Sequence, residues 1–377
     1  MSEPTYSFTV PSIHDDTALD CRIYHPKEIL KSIQSNGPRL RGAIVAHPYA
    51  PLGGCYDDET VLSVTECLLK QGYTVLTFNF RGAGDSAGKT SWTGKPEVDD
   101  YSTIAGLAVY YLQHLTVGSE KDDESPPPIG LLLAGYSFGS LILARLPSVS
   151  TIIQRFESAE KGTAASEIFL RARTLAKQTR QGSQDSKATR GREEDRSHDS
   201  PNARSLRSSI VNIGGEETNS SERRRSRDSR RSTEVISEVP HQIKSHIKRH
   251  SRHQHSLDDT DIKVADSSIA ARYLLISPVL VPLTTSLLSP GIPFTSGTAT
   301  DQEGAGMMSL RWPTLIAFGS ADTFTSSKKL KTWSERLAEQ SSGRLEWMEI
   351  PDAGHFWREK GVMRALQKSI ISWLNKP

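Results

Sequence analysis

Pro128-Ile129-Gly130-Leu131-Leu132-Leu133-Ala134-Gly135-Tyr136-Ser137-Phe138-Gly139 is an apolar run of strand length that ends in the pentapeptide Gly-Tyr-Ser-Phe-Gly. The residues behind it, Ser140-Leu141-Ile142-Leu143-Ala144-Arg145-Leu146, read as a helix. A serine on a tight turn between a buried strand and a helix is pushed out of the sheet with its hydroxyl exposed. Glycines on both sides of it are needed where a side chain would strike the neighbouring strand or helix. The run therefore predicts a sheet strand carrying Ser137 at its carboxyl end.

Similar apolar runs recur on either side. Residues 6–11 and 19–25 read as two strands joined by a turn at His14-Asp15-Asp16, and 42–47 and 74–80 as two more. Residues 57–71, with Val61, Val64, Leu68 and Leu69 at helical spacing, and residues 100–115 read as helices. Further along, 271–277, 314–319 and 344–350 read as strands, and 326–340 and 358–374 as helices. Strands alternating with helices predict an α/β fold: a mainly parallel, doubly wound sheet flanked by helices, with chemistry gathered at the carboxyl ends of the strands.

One stretch breaks the alternation. From Arg171 to Thr260 the chain carries 20 Lys and Arg against 13 Asp and Glu, is dense in serine and lacks aromatic residues. The overall charge of +2 thus hides an acidic body and a basic segment, and does not point to nucleic acid. Such a segment buries too little apolar surface to offset an ordering entropy of about 1–2 kcal/mol per residue. It predicts a disordered Ser/Arg-rich insertion over residues 156–264 in one domain formed by 1–155 and 265–377, with the residues nearest the fold, 151–175, extending as helix. Deletion of 171–260 is then expected to leave folding intact. Ser226 and Ser232 follow arginine clusters and are candidate sites for a basic-directed kinase.

Three cysteines without metal-ligand spacing fit a reducing compartment. The N-terminus shows no secretory signal, and the apolar stretch 271–288 is broken by Pro278 and Pro282, so no membrane span is expected. A cytoplasmic protein without cofactor or metal is the expectation. Gly82-Ala83-Gly84-Asp85-Ser86-Ala87-Gly88 has the wrong spacing for a dinucleotide fingerprint, and Gly88-Lys89-Thr90 lacks the leading glycine of a phosphate loop.

A serine hydroxyl becomes a nucleophile when a base takes its proton, usually a histidine oriented by a carboxylate. Five histidines lie outside the insertion: His14, His25, His47, His114 and His355. His114 reads as a surface residue of its helix, and His47, ahead of the nucleophile, as structural. His355, in the loop after the last strand, is the candidate base, and Asp322, after the strand 314–319, the candidate acid; Asp352 is its rival. The order Ser137, Asp322, His355 puts each residue at the end of a strand, so all three can meet at one edge of the sheet. The oxyanion of an acyl transfer needs backbone donors, for which the N–H of Phe138 and that of Tyr49, with Ala50 as alternative, are the candidates.

His47-Pro48-Tyr49-Ala50-Pro51-Leu52-Gly53-Gly54, Phe78 to Gly88, Gly135 to Ser140, Gly319-Ser320-Ala321-Asp322 and Asp352-Ala353-Gly354-His355-Phe356 together resemble the α/β-hydrolase superfamily, and within it small esterase-like members with a His-Pro oxyanion loop and a Gly-x-Ser-Phe-Gly turn. The resemblance covers residues 40–150 and 268–377 and implies a Ser–His–Asp hydrolase of small-molecule esters that needs no cofactor. The long basic insertion departs from it, in the region where relatives place cap elements. Two other readings stay open: a non-catalytic interaction protein recognising partners through the insertion, and an acyltransferase using the same three residues. The apolar excursion 280–308 is a candidate cover for the site.

Overall fold

The computed structural model describes residues 2–27, 29, 40–91, 93–116, 129–193, 269–280 and 310–376, with side chains throughout except at 182–193. The insertion beyond residue 193, with Ser226 and Ser232, and the excursion 281–309 lie outside the described residues.

Eight strands form one sheet: β1 (Tyr6–Pro11), β2 (Ala18–Tyr24), β3 (Arg41–Ala46), β4 (Thr74–Phe78), β5 (Ile129–Tyr136), β6 (Ile269–Ile276), β7 (Thr314–Gly319) and β8 (Leu345–Ile350). Their order is β1-β2-β4-β3-β5-β6-β7-β8. β1 pairs antiparallel with β2, and β2 with β4, while every other pair is parallel. Edge strand β1 alternates buried and half-buried residues, whereas β4 and β7 are buried throughout, as strands covered on both faces must be. The mainly parallel sheet expected from the alternation of elements is the observed one.

The connections reverse at β3. From β3 the chain runs through α1 (Glu59–Lys70) to β4 on one side, then returns through α2 (Lys95–Thr116) to β5 on the other. Right-handed crossovers in opposite directions place their helices on opposite faces. α1 packs with the closing helix α7 (Val362–Leu374) over Val45, Ala134 and Ile276. α2 covers the other face over Ile44, Leu133 and Phe318, together with α3 (Phe138–Leu143), α4 (Val149–Glu157), α5 (Ala164–Glu193) and α6 (Ser327–Gln340). The loops after β3 and β5 therefore diverge around a crevice, where such sheets bind ligands.

The packed chain continues past the expected boundary at Phe156. Phe156 is buried on α2, where a Cβ at Gly106 would lie 2.2 Å from its ring. α5 follows, burying Ala165, Ile168, Ala172, Leu175, Ala176 and Thr179 at helical spacing against α2 and β1. Half of this stripe is alanine, so its charged neighbours dominate the composition while its small side chains permit close helix contact. The stretch 156–181 is thus part of the fold and not of an insertion. His114, read as a surface residue, is buried against α5 with its ring edge-on to Phe169 at 5.2 Å, and burial, with the charges of Arg173 and Arg180, pushes it down to about 4.

Thr179 ties α5 to the core. Its hydroxyl oxygen lies 2.9 Å from the Tyr6 hydroxyl and 2.8 Å from that of Tyr111, which reaches His25 Nε2 at 2.6 Å. Burial holds His25 at about 4, so its ring is neutral near pH 7. Deletion of 171–260 is accordingly expected to abolish cooperative folding. It removes Ala172, Leu175, Ala176 and Thr179, and loss of one buried leucine alone costs about 2–5 kcal/mol out of roughly 5–15. A deletion of 200–260, which keeps α5, should melt as the full chain does. Equal melting of both deletions by circular dichroism would contradict the assignment of α5 to the core.

Candidate active site

The strand registers bring one set of ends together. Ala46 pairs with Gly135, Tyr136 with Ile276, Ile276 with Ala317, and Gly319 with Ile350, so β3, β5, β6, β7 and β8 end along one edge. Ser137 stands there between β5 and α3 with φ 54° and ψ −111°, a backbone conformation that non-glycine residues seldom adopt. Close packing holds the turn in place. A Cβ on Gly135 would meet Gly139 backbone at 2.4 Å, and one on Gly139 would meet the Ala46 carbonyl oxygen at 2.6 Å. The Ser137 N–H donates to Ile276 O at 2.9 Å, and Ser140 Oγ bridges Gly135 O and the backbone of Ile276.

Ser137, His355 and Asp322 are brought together. Ser137 Oγ lies 2.8 Å from His355 Nε2, and His355 Nδ1 lies 2.8 Å from Asp322 Oδ2. All three residues are buried. The second carboxylate oxygen of Asp322 accepts the N–H of Phe324 at 2.9 Å and that of Thr325 at 3.1 Å. Burial alone would raise the Asp322 carboxyl, but its hydrogen bond and electrostatic attraction to His355 and these two N–H donors outweigh it and hold it below the usual carboxylate range. An ionised carboxylate only accepts, so Nδ1 carries the proton and Nε2 offers its lone pair to the serine hydroxyl. Asp352, the rival acid, is exposed, and its N–H donates to Ser320 Oγ at 2.9 Å.

The histidine loop is anchored by a residue that the sequence reading did not single out. Tyr136, next to Ser137, donates its hydroxyl to the backbone oxygen of His355 at 2.8 Å, linking β5 to the loop after β8. The Ala321 N–H donates to Ala353 O at 2.9 Å and joins the loop after β7 to the same segment. Only the pairing of strands distant in sequence makes these contacts visible; Tyr136 itself looks like any aromatic residue of a buried strand.

Phe138 and Tyr49 face one another across the crevice, their rings 5.2 Å apart. Among the described residues, neither the Phe138 N–H nor the Tyr49 N–H has a hydrogen-bond acceptor. The loop carrying Tyr49 is held by His47, which is fully buried and receives the Phe80 N–H on Nε2 at 2.9 Å. Its Nδ1 lies 2.6 Å from Pro48 O, so Nδ1 carries the proton and the ring is neutral. Burial, only partly opposed by that bond, puts His47 at about 4, in keeping with the structural part expected of it. Phe80 is fixed in turn by Arg81, whose guanidinium makes paired bonds to Asp100 and to Asp15. Residues 89–91 adopt no regular structure, 93–94 bend, and α2 opens only at Lys95, so among the described residues no helix directly follows the glycines as a nucleotide loop requires.

Among the described residues no three His, Cys, Asp or Glu side chains come together as metal ligands, and no helix is long and apolar enough to cross a membrane. No family model matches the chain. An uncharacterized protein of Rickettsia prowazekii is 33% identical over 113 residues, covering 30% of this chain and 42% of the relative. Among solved structures, an α/β serine hydrolase without lid from Xanthomonas campestris is 16% identical with a TM-score of 0.44, covering 100% of this chain and 99% of its own. An α/β serine hydrolase homologue from Coxiella burnetii is 15% identical at 0.44, covering 99% and 97%, and a Pyrococcus furiosus esterase is 13% identical at 0.44, covering 99% and 92%. The α/β-hydrolase fold of this chain rests on its own strand order and on the turn that carries Ser137 after β5.

Proposed function

We propose that the protein is a serine hydrolase of small carboxylic esters that works through an acyl-enzyme. One observation carries this reading: the unbroken hydrogen-bond chain from Ser137 Oγ through His355 to Asp322, 2.8 Å at each step. Ser137 attacks the ester carbonyl while His355 Nε2 takes its proton. Asp322 keeps the imidazole in the required tautomer and stabilises the imidazolium. The developing oxyanion is received by the N–H groups of Phe138 and Tyr49, which have no acceptor among the described residues. His355 then returns the proton to the leaving alcohol, and a water activated by the same imidazole hydrolyses the acyl-serine.

No step calls for a cofactor. The test is direct: the full-length protein should react covalently with a fluorophosphonate probe and release p-nitrophenol from p-nitrophenyl acetate with a burst. A chain that does neither is not a serine hydrolase. Transfer of the acetyl group to an added alcohol in place of water, seen as ester product, would replace hydrolysis by acyl transfer with the same residues.

A further inference from the structure

Among the described residues, the large apolar side chains left exposed are Leu52, Leu170, Phe324 and Phe356. Three of them stand on loops leaving the edge that carries Ser137: Leu52 after β3, Phe324 after β7 and Phe356 after β8. The two phenylalanines surround the candidate base. Phe324 stacks on the His355 imidazole with centroids 4.1 Å apart and planes at 22°. Phe356 stands edge-on to both rings, 5.5 Å from His355 and 5.6 Å from Phe324. Yet Phe324 is 47% and Phe356 50% exposed, so each keeps a large apolar surface open to water beside a buried polar pair. Exposed apolar surface gathered at one place marks a surface that is covered in use.

The reaction dictates which half of an ester meets these rings. When the tetrahedral intermediate collapses, the bond between the carbonyl carbon and the alcohol oxygen breaks, the Ser137 ester remains, and the imidazolium proton passes from His355 Nε2 to the departing oxygen. That oxygen must come within hydrogen-bond reach of Nε2. The carbon group attached to it therefore begins beside the imidazole, on the side walled by Phe324 and Phe356, while the carbonyl oxygen points towards Phe138 and Tyr49. Beyond Phe356 lies a cleft of about 550 Å³ bounded by Trp357 and Met363, with Glu59, Arg358 and Glu359 supplying charge at its walls. The described apolar surface on His355 is thus the two rings of Phe324 and Phe356, and the cleft that Phe356 also borders is lined by charged groups.

We propose that Phe324 and Phe356 form the alcohol subsite and select esters whose alcohol half is a single flat apolar group of the arylmethyl kind. The inference rests on the serine-hydrolase reading. It assigns to Phe324 a part in specificity that stacking against His355 as mere packing would not produce.

The experiment compares kcat/KM for acetates of ethanol, 2-methoxyethanol and benzyl alcohol, whose leaving groups are of similar basicity, so that ratios report binding rather than bond strength. Ethyl phenylacetate against ethyl acetate moves the ring to the acyl side. Benzyl acetate should exceed ethyl acetate by about 30-fold, as burial and stacking of one ring allow, and 2-methoxyethyl acetate should not. Phe324→Ala should cut the benzyl-to-ethyl ratio to about 3-fold and Phe324→Trp should keep it. Circular-dichroism melts would establish that both variants fold. A flat alcohol series, a preference that follows the phenylacetyl group, or a ratio unchanged in folded Phe324→Ala would each overturn the assignment. Failure of the wild-type chain to react with a fluorophosphonate would instead remove the hydrolase reading beneath it.

Discussion

Ser137→Ala is expected to lower kcat towards p-nitrophenyl acetate by about 10⁶-fold, as loss of the nucleophile can do in a serine hydrolase, and to abolish fluorophosphonate labelling. The change removes only the hydroxyl. The Ser137 N–H still donates to Ile276 O, and the glycines that shape the turn are untouched, so the backbone keeps its place. His355 loses its partner on Nε2 but retains Asp322 on Nδ1 and the Tyr136 bond to its backbone. The fold should therefore survive, and a melting curve close to that of the unmodified chain separates loss of chemistry from loss of structure. Labelling that persists in the folded variant would place the nucleophile elsewhere.

Asp322→Asn should cost on the order of 10⁴ in kcat with the fold intact, and the local bonding says why. One side-chain oxygen of Asp322 accepts two backbone N–H groups, from Phe324 and Thr325. In the asparagine variant those donors demand the carbonyl oxygen at that position, which turns the amide NH₂ towards His355 Nδ1. Two donors cannot share that contact, so the imidazole is driven to the tautomer with its proton on Nε2, facing the serine hydroxyl. The base then has no lone pair where it is needed. Asp352→Asn, at an exposed position whose side chain does not hold His355, should leave kcat within about two-fold, in the range of surface substitutions. A loss below ten-fold for Asp322→Asn, or comparable losses at both positions, would remove Asp322 from its assigned part.

The features legible in the chain are those encoded over short distances. Continuous apolar runs at 42–47, 74–80 and 314–319 became buried strands because a sheet covered on both faces accepts no alternation of polarity. The helix ends were less exact. α2 begins at Lys95, five residues before the expected start, and Glu97 in its first turn accepts the Ser91 N–H and hydroxyl, a contact that composition does not announce. The packing of α5 is less legible than its helicity, because half of its buried stripe is alanine amid lysine, arginine and glutamate, a weak hydrophobic signal whose value comes from the surface it meets.

Ser137, Asp322 and His355 could be picked from the linear order alone, since serine, acid and base each follow a strand and parallel strands must end together. Their distances could not, because 218 residues separate the serine from the histidine and only packing brings them to 2.8 Å. Tyr136 holding the His355 loop, His47 locked as a neutral ring beneath Tyr49, and His114 enclosed by α5 all depend on partners remote in the chain. Periodicity and turn chemistry are local properties that a sequence carries openly. Which face of a helix is covered, and which proton a buried ring keeps, is set by neighbours that arrive only when the chain has closed on itself.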